Sequence, residues 1–152
     1  MKINTKIRYG LRTLIELGIH DNKTGIFQKD IAKNQQISEK YLDPIISSLK
    51  ISGLIINAGG KKSGYILNKL PSEITMYDVY KTFEPCLSII FCICKPSICD
   101  RSEKCSAIEY WAELNDVIIN HLKSKSLASL IERHKELNTI QIEKEIVQIL
   151  KK

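Results

Sequence analysis

The sequence lacks any apolar run that approaches the ~20 residues needed to cross a bilayer. The opening residues, MKINTKIRYG, also lack the uncharged apolar stretch that follows the charges of a secretory signal peptide. These two absences predict a protein that works in the cytoplasm and has no membrane partner.

Sets of residues that would indicate catalysis are missing as well. Outside the cysteines there is no Ser/His/Asp set, no phosphate-binding loop and no pair of carboxylates placed for acid–base chemistry. No internal repeat or low-complexity tract is present, and the hydrophobic fraction of 43% excludes a mostly disordered chain. A length of 152 residues suits one ordinary domain, or a small domain with an appended dimerisation or sensing segment. The sequence therefore predicts a globular protein that is not an enzyme.

Positive charge is concentrated in the first half of the chain. Residues 1–70 hold 12 Lys and Arg against 5 Asp and Glu, a net charge of +7, whereas residues 71–152 hold 11 against 12, a net charge of −1. Such an asymmetry suggests a polyanionic partner for the basic half. The alternative is a lysine-rich surface that is merely solvated.

Two helices are predicted at the start of this basic half. Apolar residues at helical spacing mark the first helix over 7–19, with Thr5 as a plausible N-cap. Turn-forming residues at 21–25 end it. A short second helix opens at Gln28 and is broken by the polar residues 34–36.

A third helix is predicted over 38–52, and it contains a proline. Ser38 is its cap candidate, and Gly53 stands where a glycine often follows the end of a helix. Pro44 removes one backbone donor. Either the helix kinks there, or Asp43 caps a shorter helix whose first residue is Pro44, and the sequence leaves both open.

A β-hairpin with a lysine-bearing loop follows the third helix. Short apolar runs at 54–56 and 65–67 flank a Gly/Lys loop that carries Lys61 and Lys62. The order helix–helix–turn–helix–hairpin is the layout of a winged helix. Such a loop can lie along the DNA backbone or reach the adjacent minor groove. The alternative is a winged helix used for protein contacts.

The amino end of the third helix is the predicted DNA-reading element, because a helix fits the major groove and its first residues reach base edges. The full set of predicted DNA contacts comprises Thr5, Arg8, Gln28, Ser38, Glu39, Lys40, Tyr41, Lys61 and Lys62.

The second half is predicted to be helical around a central loop. A helix at about 75–84 has Thr75 as its cap and ends before Pro85. A further helix is predicted over 106–123, and another helical stretch over 139–151, after a break at Ser126-Leu127.

All five cysteines fall in a single 20-residue window between these helices. A tight cluster in a cytoplasmic protein is more often a metal or redox site than a set of disulfide staples. Cys86, which follows Pro85 and precedes apolar residues, is predicted to be a small buried hydrophobe. The others form a soft-ligand set that suits zinc or an iron–sulfur cluster, and reduced free thiols are the alternative. This predicted metal-binding set is Cys92, Cys94, Cys99 and Cys105.

In order along the chain, several segments resemble the Rrf2 family of bacterial winged-helix regulators. TKIRYGLRTLIELG is similar to the family's opening helix, KDIAKNQQISEKYLDPIISSLKISGLI to its helix-turn-helix and NAGGKKSGYIL to its wing. LPSEITMYDVYKTFE resembles its linking helix, and CDRSEKCSAIEYWAELNDVI resembles the end of its cysteine loop and the start of its dimerisation helix. The resemblance runs from residue 1 to about residue 131.

The resemblance implies a fold that is mainly α with a small β-hairpin wing, a winged helix-turn-helix plus a long C-terminal dimerisation helix. It implies a homodimeric transcription regulator, expected to be a repressor, that binds a partly palindromic operator in double-stranded DNA. Its signal would be iron–sulfur, nitric oxide or redox status. The expected domains are a DNA-binding domain at 1–70, a segment at 71–131 with the linking helix, the sensor loop (86–106) and the dimerisation helix, and a helical extension at 132–152.

In cluster-binding members of the family three cysteines of this loop are ligands, and they correspond to Cys92 (or Cys94), Cys99 and Cys105. The fourth ligand is a histidine where this chain has Ile108, or a partner subunit's acidic residue where this chain has Arg8, and neither of these can ligate. Cys94 is therefore the hypothetical fourth ligand of a 2Fe–2S or 4Fe–4S cluster. A zinc site, a thiol–disulfide switch, or a protein or small-molecule effector are the alternatives.

Overall fold

The computed structural model describes residues 3–20, 24–59 and 63–150. Within these ranges the chain forms seven α-helices and one two-stranded antiparallel sheet, so the predicted fold class is confirmed. The helices are α1 (Thr5–Ile19), α2 (Gln28–Gln35), α3 (Glu39–Ile51), α4 (Met76–Phe83), α5 (Phe91–Cys94), α6 (Ile108–Ser124) and α7 (Leu127–Leu150), and the strands are β1 (Ile55–Asn57) and β2 (Tyr65–Leu67).

Helix α1 is capped by Asn4, so the prediction of Thr5 as its cap was wrong by one residue. The Asn4 Oδ1 atom accepts a hydrogen bond from the backbone N–H of Ile7 at 3.0 Å, and Asn4 has the extended dihedrals of a cap (φ −79°, ψ 171°). Thr5 is already helical. Both side chains can cap a helix, and only the backbone shows which residue is the last extended one.

The turn between α2 and α3 is set by two residues. Gln36 adopts a left-handed conformation (φ 52°), and its N–H donates to the carbonyls of Ala32 and Lys33, which ends α2. Two residues later the Ser38 hydroxyl oxygen accepts from the N–H of Tyr41 at 3.3 Å. Ser38 is therefore the cap of α3, as predicted.

Helix α3 runs without a break through Pro44. The alternative in which Asp43 caps a shorter helix is therefore wrong. Pro44 is exposed, and the helix continues because its opposite face is anchored by buried Leu42, Ile45 and other apolar side chains. Gly53 follows the helix with φ +70°, a conformation that favours glycine, as the sequence predicts.

The wing is an antiparallel hairpin in which Ile55 pairs with Leu67. It is tied to the body by Ile26, which exchanges two backbone hydrogen bonds with Tyr65 (N–O distances of 3.0 and 2.8 Å). Gly64 is buried here against the backbone of Gly25 and Ile26, so closely that a Cβ atom at position 64 would overlap that backbone.

Replacing Gly64 with alanine is expected to destabilise the fold by about 1–3 kcal/mol, because the new methyl group meets backbone atoms that cannot move aside. The matched control is Gly59→Ala, since a Cβ atom there would meet none of the described residues within 4 Å. Its expected cost is below about 0.5 kcal/mol. Urea unfolding followed by circular dichroism compares the two variants, and equal midpoints would contradict this packing.

The main core is shared by the winged helix and the first turns of α7. Leu127 is fully buried and Ile131 is 6% exposed, and the Ile131 side chain lies against Gly18 of α1. The core therefore joins residues on both sides of the predicted boundary at residue 70. Its fully buried members include Leu14, Ile31, Leu42, Ile45, Leu49, Ile55, Ile74 and Leu127.

Helix α4 connects the winged helix to α6. Thr75 caps it, as predicted, in a capping box: the Thr75 hydroxyl accepts from the N–H of Asp78 at 3.2 Å, and the Asp78 carboxylate accepts from the N–H of Thr75 at 2.8 Å. Tyr80 lies with Ile7 of α1 in a second core cluster, against which Ile118 of α6 packs.

Helix α7 is longer than the stretch predicted over 139–151. It starts directly after Ser126, whose hydroxyl accepts from the N–H of Ser129 at 3.4 Å, and it continues for 24 residues. The predicted break at Ser126-Leu127 is the junction with α6, and buried Leu127 and Ile131 anchor the first two turns. No helix in the described ranges is long and apolar enough to cross a membrane.

Candidate nucleic-acid interface and cysteine loop

The amino end of α3 presents three of the predicted DNA contacts on the surface. Glu39 and Lys40 are exposed in its first turn, and Tyr41 is 41% exposed. The Tyr41 ring meets the ring of Tyr9 of α1 edge to face, with centroids 5.5 Å apart, so its direction is fixed. The Ser38 hydroxyl serves as the helix cap and thereby positions this turn.

The predicted contacts outside α3 lie at the starts of α1 and α2. Thr5 is half-buried and Arg8 is exposed, and both lie in the first turns of α1. Gln28 is half-buried, and its amide donates to the Asp43 carboxylate and to the carbonyl of Glu39. In this structure Gln28 therefore holds the start of α2 against α3.

A buried carboxylate between α1 and α2 was missed from the sequence. Glu16 is 5% exposed, and its two oxygens accept hydrogen bonds from the side-chain amides of Asn34 and Gln35, both at 2.6 Å. Arg12 donates to the Gln35 side chain at 2.9 Å. A charged acceptor strengthens such bonds, so the network fixes α2 on α1. The available signal was a glutamate between the apolar positions of the first helix.

The wing loop is described only at its base. The N–H of Ala58 donates to the carbonyl of Gly64 at 2.9 Å, and the N–H of Gly59 donates to the Ser63 hydroxyl at 2.8 Å. Lys61 and Lys62, the predicted contacts of the loop, lie outside the described residues.

The cysteine loop pairs two cysteines for which the sequence predicts different roles. The Sγ atoms of Cys86 and Cys94 are bonded to each other, and the Cα atoms are 6.4 Å apart, within the range that a disulfide spans. Cys86 is exposed, so the prediction that it is a buried hydrophobe was wrong. Cys94, the hypothetical fourth ligand, lies beside Cys86 because the short helix α5 carries it back there, and its role as a ligand stays a prediction.

The three remaining cysteines do not converge in this structure. Cys92, Cys99 and Cys105 are half-buried free thiols; Cys92 lies in α5, and Cys99 and Cys105 each directly follow a short 3₁₀ turn. Within the described ranges no three Cys, His, Asp or Glu side chains are arranged to hold a metal ion. An iron–sulfur cluster needs several thiolates on one centre, so the residues as arranged do not fit one.

Asn115 fixes the start of this loop on α6, and the sequence did not reveal it. It is 4% exposed; its Oδ1 accepts from the N–H of Ile89 at 3.1 Å and its Nδ2 donates to the carbonyl of Leu87 at 3.3 Å. A buried side-chain amide that satisfies two loop backbone groups is expensive to remove. The only signal was a polar residue within the apolar pattern of that helix.

Another face of α6 carries an exposed apolar stripe. Tyr110, Leu114 and Val117 are 60%, 38% and 64% exposed, and their spacing places them along one side of the helix. Large apolar side chains grouped on a surface are typical of an interaction site.

Tyr80 gives this region a pH dependence. Burial raises the pKa of Tyr80 above its ordinary value of 10.0, and the negative charge of Glu84 raises it further. Below pH 10.0 the folded and the unfolded chain both hold the neutral phenol, so ionisation of Tyr80 costs the fold no stability. As the pH rises above that value the unfolded chain loses its proton first, and stability falls.

We therefore expect the urea midpoint to fall as the pH rises above about 10, and to fall less in Tyr80→Phe, which cannot ionise. Equal losses in the wild type and the variant would contradict this origin of the pH dependence.

The capped α3, the turn before it and the bridged hairpin define a winged helix of the kind found in transcription regulators. The model of the Rrf2 family, described as iron-dependent transcriptional regulator, matches residues 3–133. The chain belongs to the Rrf2 family. The matched range leaves most of α7 outside it.

Relatives and solved structures agree with this assignment. The chain is 31% identical over 131 residues to Protein rrf2 of Nitratidesulfovibrio vulgaris, a match that covers 86% of this chain and 87% of that protein. The structure of CymR, the global cysteine regulator of B. subtilis, has a TM-score of 0.70 and 29% identity, and the match covers 88% of this chain and 98% of that one. The T. potens IscR structure has a TM-score of 0.68 and 28% identity, with 90% of each chain covered.

The prediction of a regulator rather than an enzyme is thereby confirmed. The chain is a transcription regulator with DNA as the partner of its winged helix.

Proposed function

We propose that this regulator is a homodimeric repressor that reads a partly palindromic operator with the amino end of α3. The observation that carries the proposal is the exposed first turn of α3, where Glu39 and Lys40 stand on a capped helix end. Such a turn reaches base edges when the helix lies in the major groove. The net charge of +7 over residues 1–70 attracts the phosphate backbone.

Arg8 and the wing supply the supporting contacts in this proposal. Arg8 is exposed in the second turn of α1 and can bind a phosphate. Lys61 and Lys62 of the predicted Gly/Lys loop are proposed to contact the DNA backbone beyond the major groove. Thr5 and Gln28 contribute from the first turns of their helices, Gln28 in part by holding α2 against α3.

The proposed dimer uses the exposed stripe of α6. Tyr110, Leu114 and Val117 would be covered by the same residues of a second copy, as a two-fold interface requires. Two copies present two α3 helices, and half-sites then lie about one helical turn apart. This geometry explains why a palindromic operator is expected. Because DNA is the partner, we also propose that the protein works in the cytoplasm.

Selection from a library of random duplexes tests the DNA-reading proposal without knowledge of the operator. The expected result is enrichment of a partly palindromic sequence, with hydroxyl-radical protection on one face of the duplex at two half-sites about 10 base pairs apart. Enrichment of no sequence, or of a single unpaired half-site, would contradict the proposal. Repression is then measured with a reporter gene downstream of the selected sequence.

The cysteine loop is the proposed sensor, because Asn115 joins it to the proposed dimerisation helix. Thiol chemistry is the signal that the geometry favours, since two of the five cysteines are already paired. An iron–sulfur cluster is the second candidate, favoured by the family's description as iron-dependent. Cys92, Cys99 and Cys105 would have to move together to hold it.

A single sample separates these two signals. The protein is purified without oxygen, its visible spectrum is recorded, and iron, sulfide and zinc are measured. A colourless protein without iron supports thiol chemistry. A brown protein with stoichiometric iron and sulfide supports the cluster, and a colourless protein with zinc would contradict both.

A further inference from the structure

The bond between Cys86 and Cys94 divides the cysteine loop into two sets. These two residues form a pair, whereas Cys92, Cys99 and Cys105 are free. We infer that Cys86 and Cys94 form a separate thiol–disulfide site, whose redox state is transmitted through Glu84 and Asn4 to the amino end of α1. The inference deepens the proposed function and rests on it for its effect on DNA binding.

The geometry of the pair suits reversible closure. The Cα atoms are 6.4 Å apart, and eight positions separate the two residues along the chain. Cys86 is exposed and Cys94 is half-buried, so a dissolved oxidant or reductant reaches Cys86 first. The loop that the bond closes contains Leu87 and Ile89, the two backbone positions that Asn115 holds on α6. The bond therefore forms on an anchored segment.

The oxidant is a small disulfide, and the chemistry is an exchange of thiols. The Cys86 thiolate attacks one sulfur of the small disulfide, which forms a mixed disulfide and releases one small thiolate. The Cys94 thiolate then attacks Cys86 Sγ, forms the intramolecular bond and releases the second small thiolate. Two protein thiols are oxidised by two electrons, and the small disulfide is reduced to two thiols. A dithiol reductant reverses the sequence.

A short chain of contacts connects this site with α1. Two residues before Cys86, the Glu84 carboxylate accepts a hydrogen bond from the Asn4 side-chain amide at 2.6 Å. The other side-chain atom of Asn4, Oδ1, caps α1 through the N–H of Ile7. Closing the bond adds a restraint at Cys86, between α4 and the Leu87 carbonyl that Asn115 holds, and reduction removes that added restraint. When Glu84 can move, its hydrogen bond with Asn4 weakens. The cap that Asn4 forms on α1 then loosens, and so does the helix turn that carries Arg8.

Peptide mapping tests the pairing directly. The metal-free full chain is oxidised with glutathione disulfide, free thiols are alkylated, and the digest is analysed by mass spectrometry. The expected product links the peptide of Cys86 to that of Cys94 and leaves Cys92, Cys99 and Cys105 alkylated. A dominant link to any of those three would overturn the inference.

Hydrogen exchange of the peptide that contains Ile7 tests the coupling. Reduction is expected to speed its exchange about threefold or more in the wild type. Cys86→Ser should exchange rapidly under both conditions, and the matched control Cys99→Ser should keep the wild-type response. Glu84→Ala should still form the disulfide but lose the response. A redox response in Cys86→Ser equal to that of the wild type would overturn the coupling.

Affinity for the selected duplex completes the test. It is expected to differ about fivefold or more between oxidised and reduced wild type, and by less than twofold in Cys86→Ser. If neither redox form binds any duplex while mapping and exchange give the expected results, the proposed function fails and the disulfide site stands. If the duplex binds equally in both redox states, the coupling fails and the proposed function stands.

Discussion

Replacing Val117 with aspartate is expected to make the regulator a monomer and to lower its operator affinity about 100-fold or more, because two unpaired carboxylates would be buried face to face. Val117 is 64% exposed in the single chain, at the carboxyl end of the apolar stripe of α6. The single-chain fold should be unaffected, since the side chain has no place in the core. Sedimentation velocity measures the mass, and fluorescence anisotropy measures the affinity.

The matched control changes the net charge of the same helix by the same one unit. Lys123 is exposed on α6 on a different side from the stripe, so Lys123→Gln should remain dimeric and bind normally. If Val117→Asp remains a dimer of wild-type affinity, α6 is not the dimer interface. If both variants dissociate, a change of charge anywhere on α6 is sufficient to disrupt the dimer, and the apolar stripe is not the specific contact.

Reversing the charge of Lys40 is expected to weaken operator binding about 10- to 100-fold, whether the lysine contacts a base edge or a phosphate. Lys40 is exposed in the first turn of α3 and takes no part in the core, so Lys40→Glu should fold normally. The slope of log affinity against log salt should become shallower by about one unit.

Lys144→Glu is the control for net charge. Lys144 is exposed on α7, beyond the matched family range, and the substitution changes the total charge by the same amount. Its affinity should stay within about twofold of wild type, because steering by net charge acts mainly on association rates. A loss equal to that of Lys40→Glu would show that charge, and not the position of α3, determines binding.

The winged helix could be predicted from the sequence because its signals are local. Ser38 as cap, Gly53 after the helix and the two apolar runs of the hairpin depend on neighbours only a few residues away. The predicted cap of α1 was wrong by one residue, because the side chains of Asn4 and Thr5 can both accept the capping hydrogen bond. The start of α7 was missed because its anchors, Leu127 and Ile131, are defined by the core they enter.

The sensor region was harder to predict because its contacts join distant segments. Asn115 forms hydrogen bonds with backbone groups 26 and 28 positions away, and a contact between such distant residues leaves no periodic pattern in the sequence. Cys86 and Cys94 meet because α5 turns the chain back, whereas spacing alone placed Cys94 with the ligands. The family's pattern indicates which cysteines are shared with relatives, but the pairing of an additional cysteine depends on this chain's own loop.

A salt titration of operator binding tests the central claim most directly. The wild-type dimer is titrated by fluorescence anisotropy against the selected duplex and a scrambled duplex of equal length, at several salt concentrations. The account predicts that log affinity falls linearly with log salt for both duplexes, and that the selected one stays at least about 1,000-fold tighter. Equal affinity for the two duplexes, or an affinity that does not depend on salt, would contradict a sequence-reading winged helix.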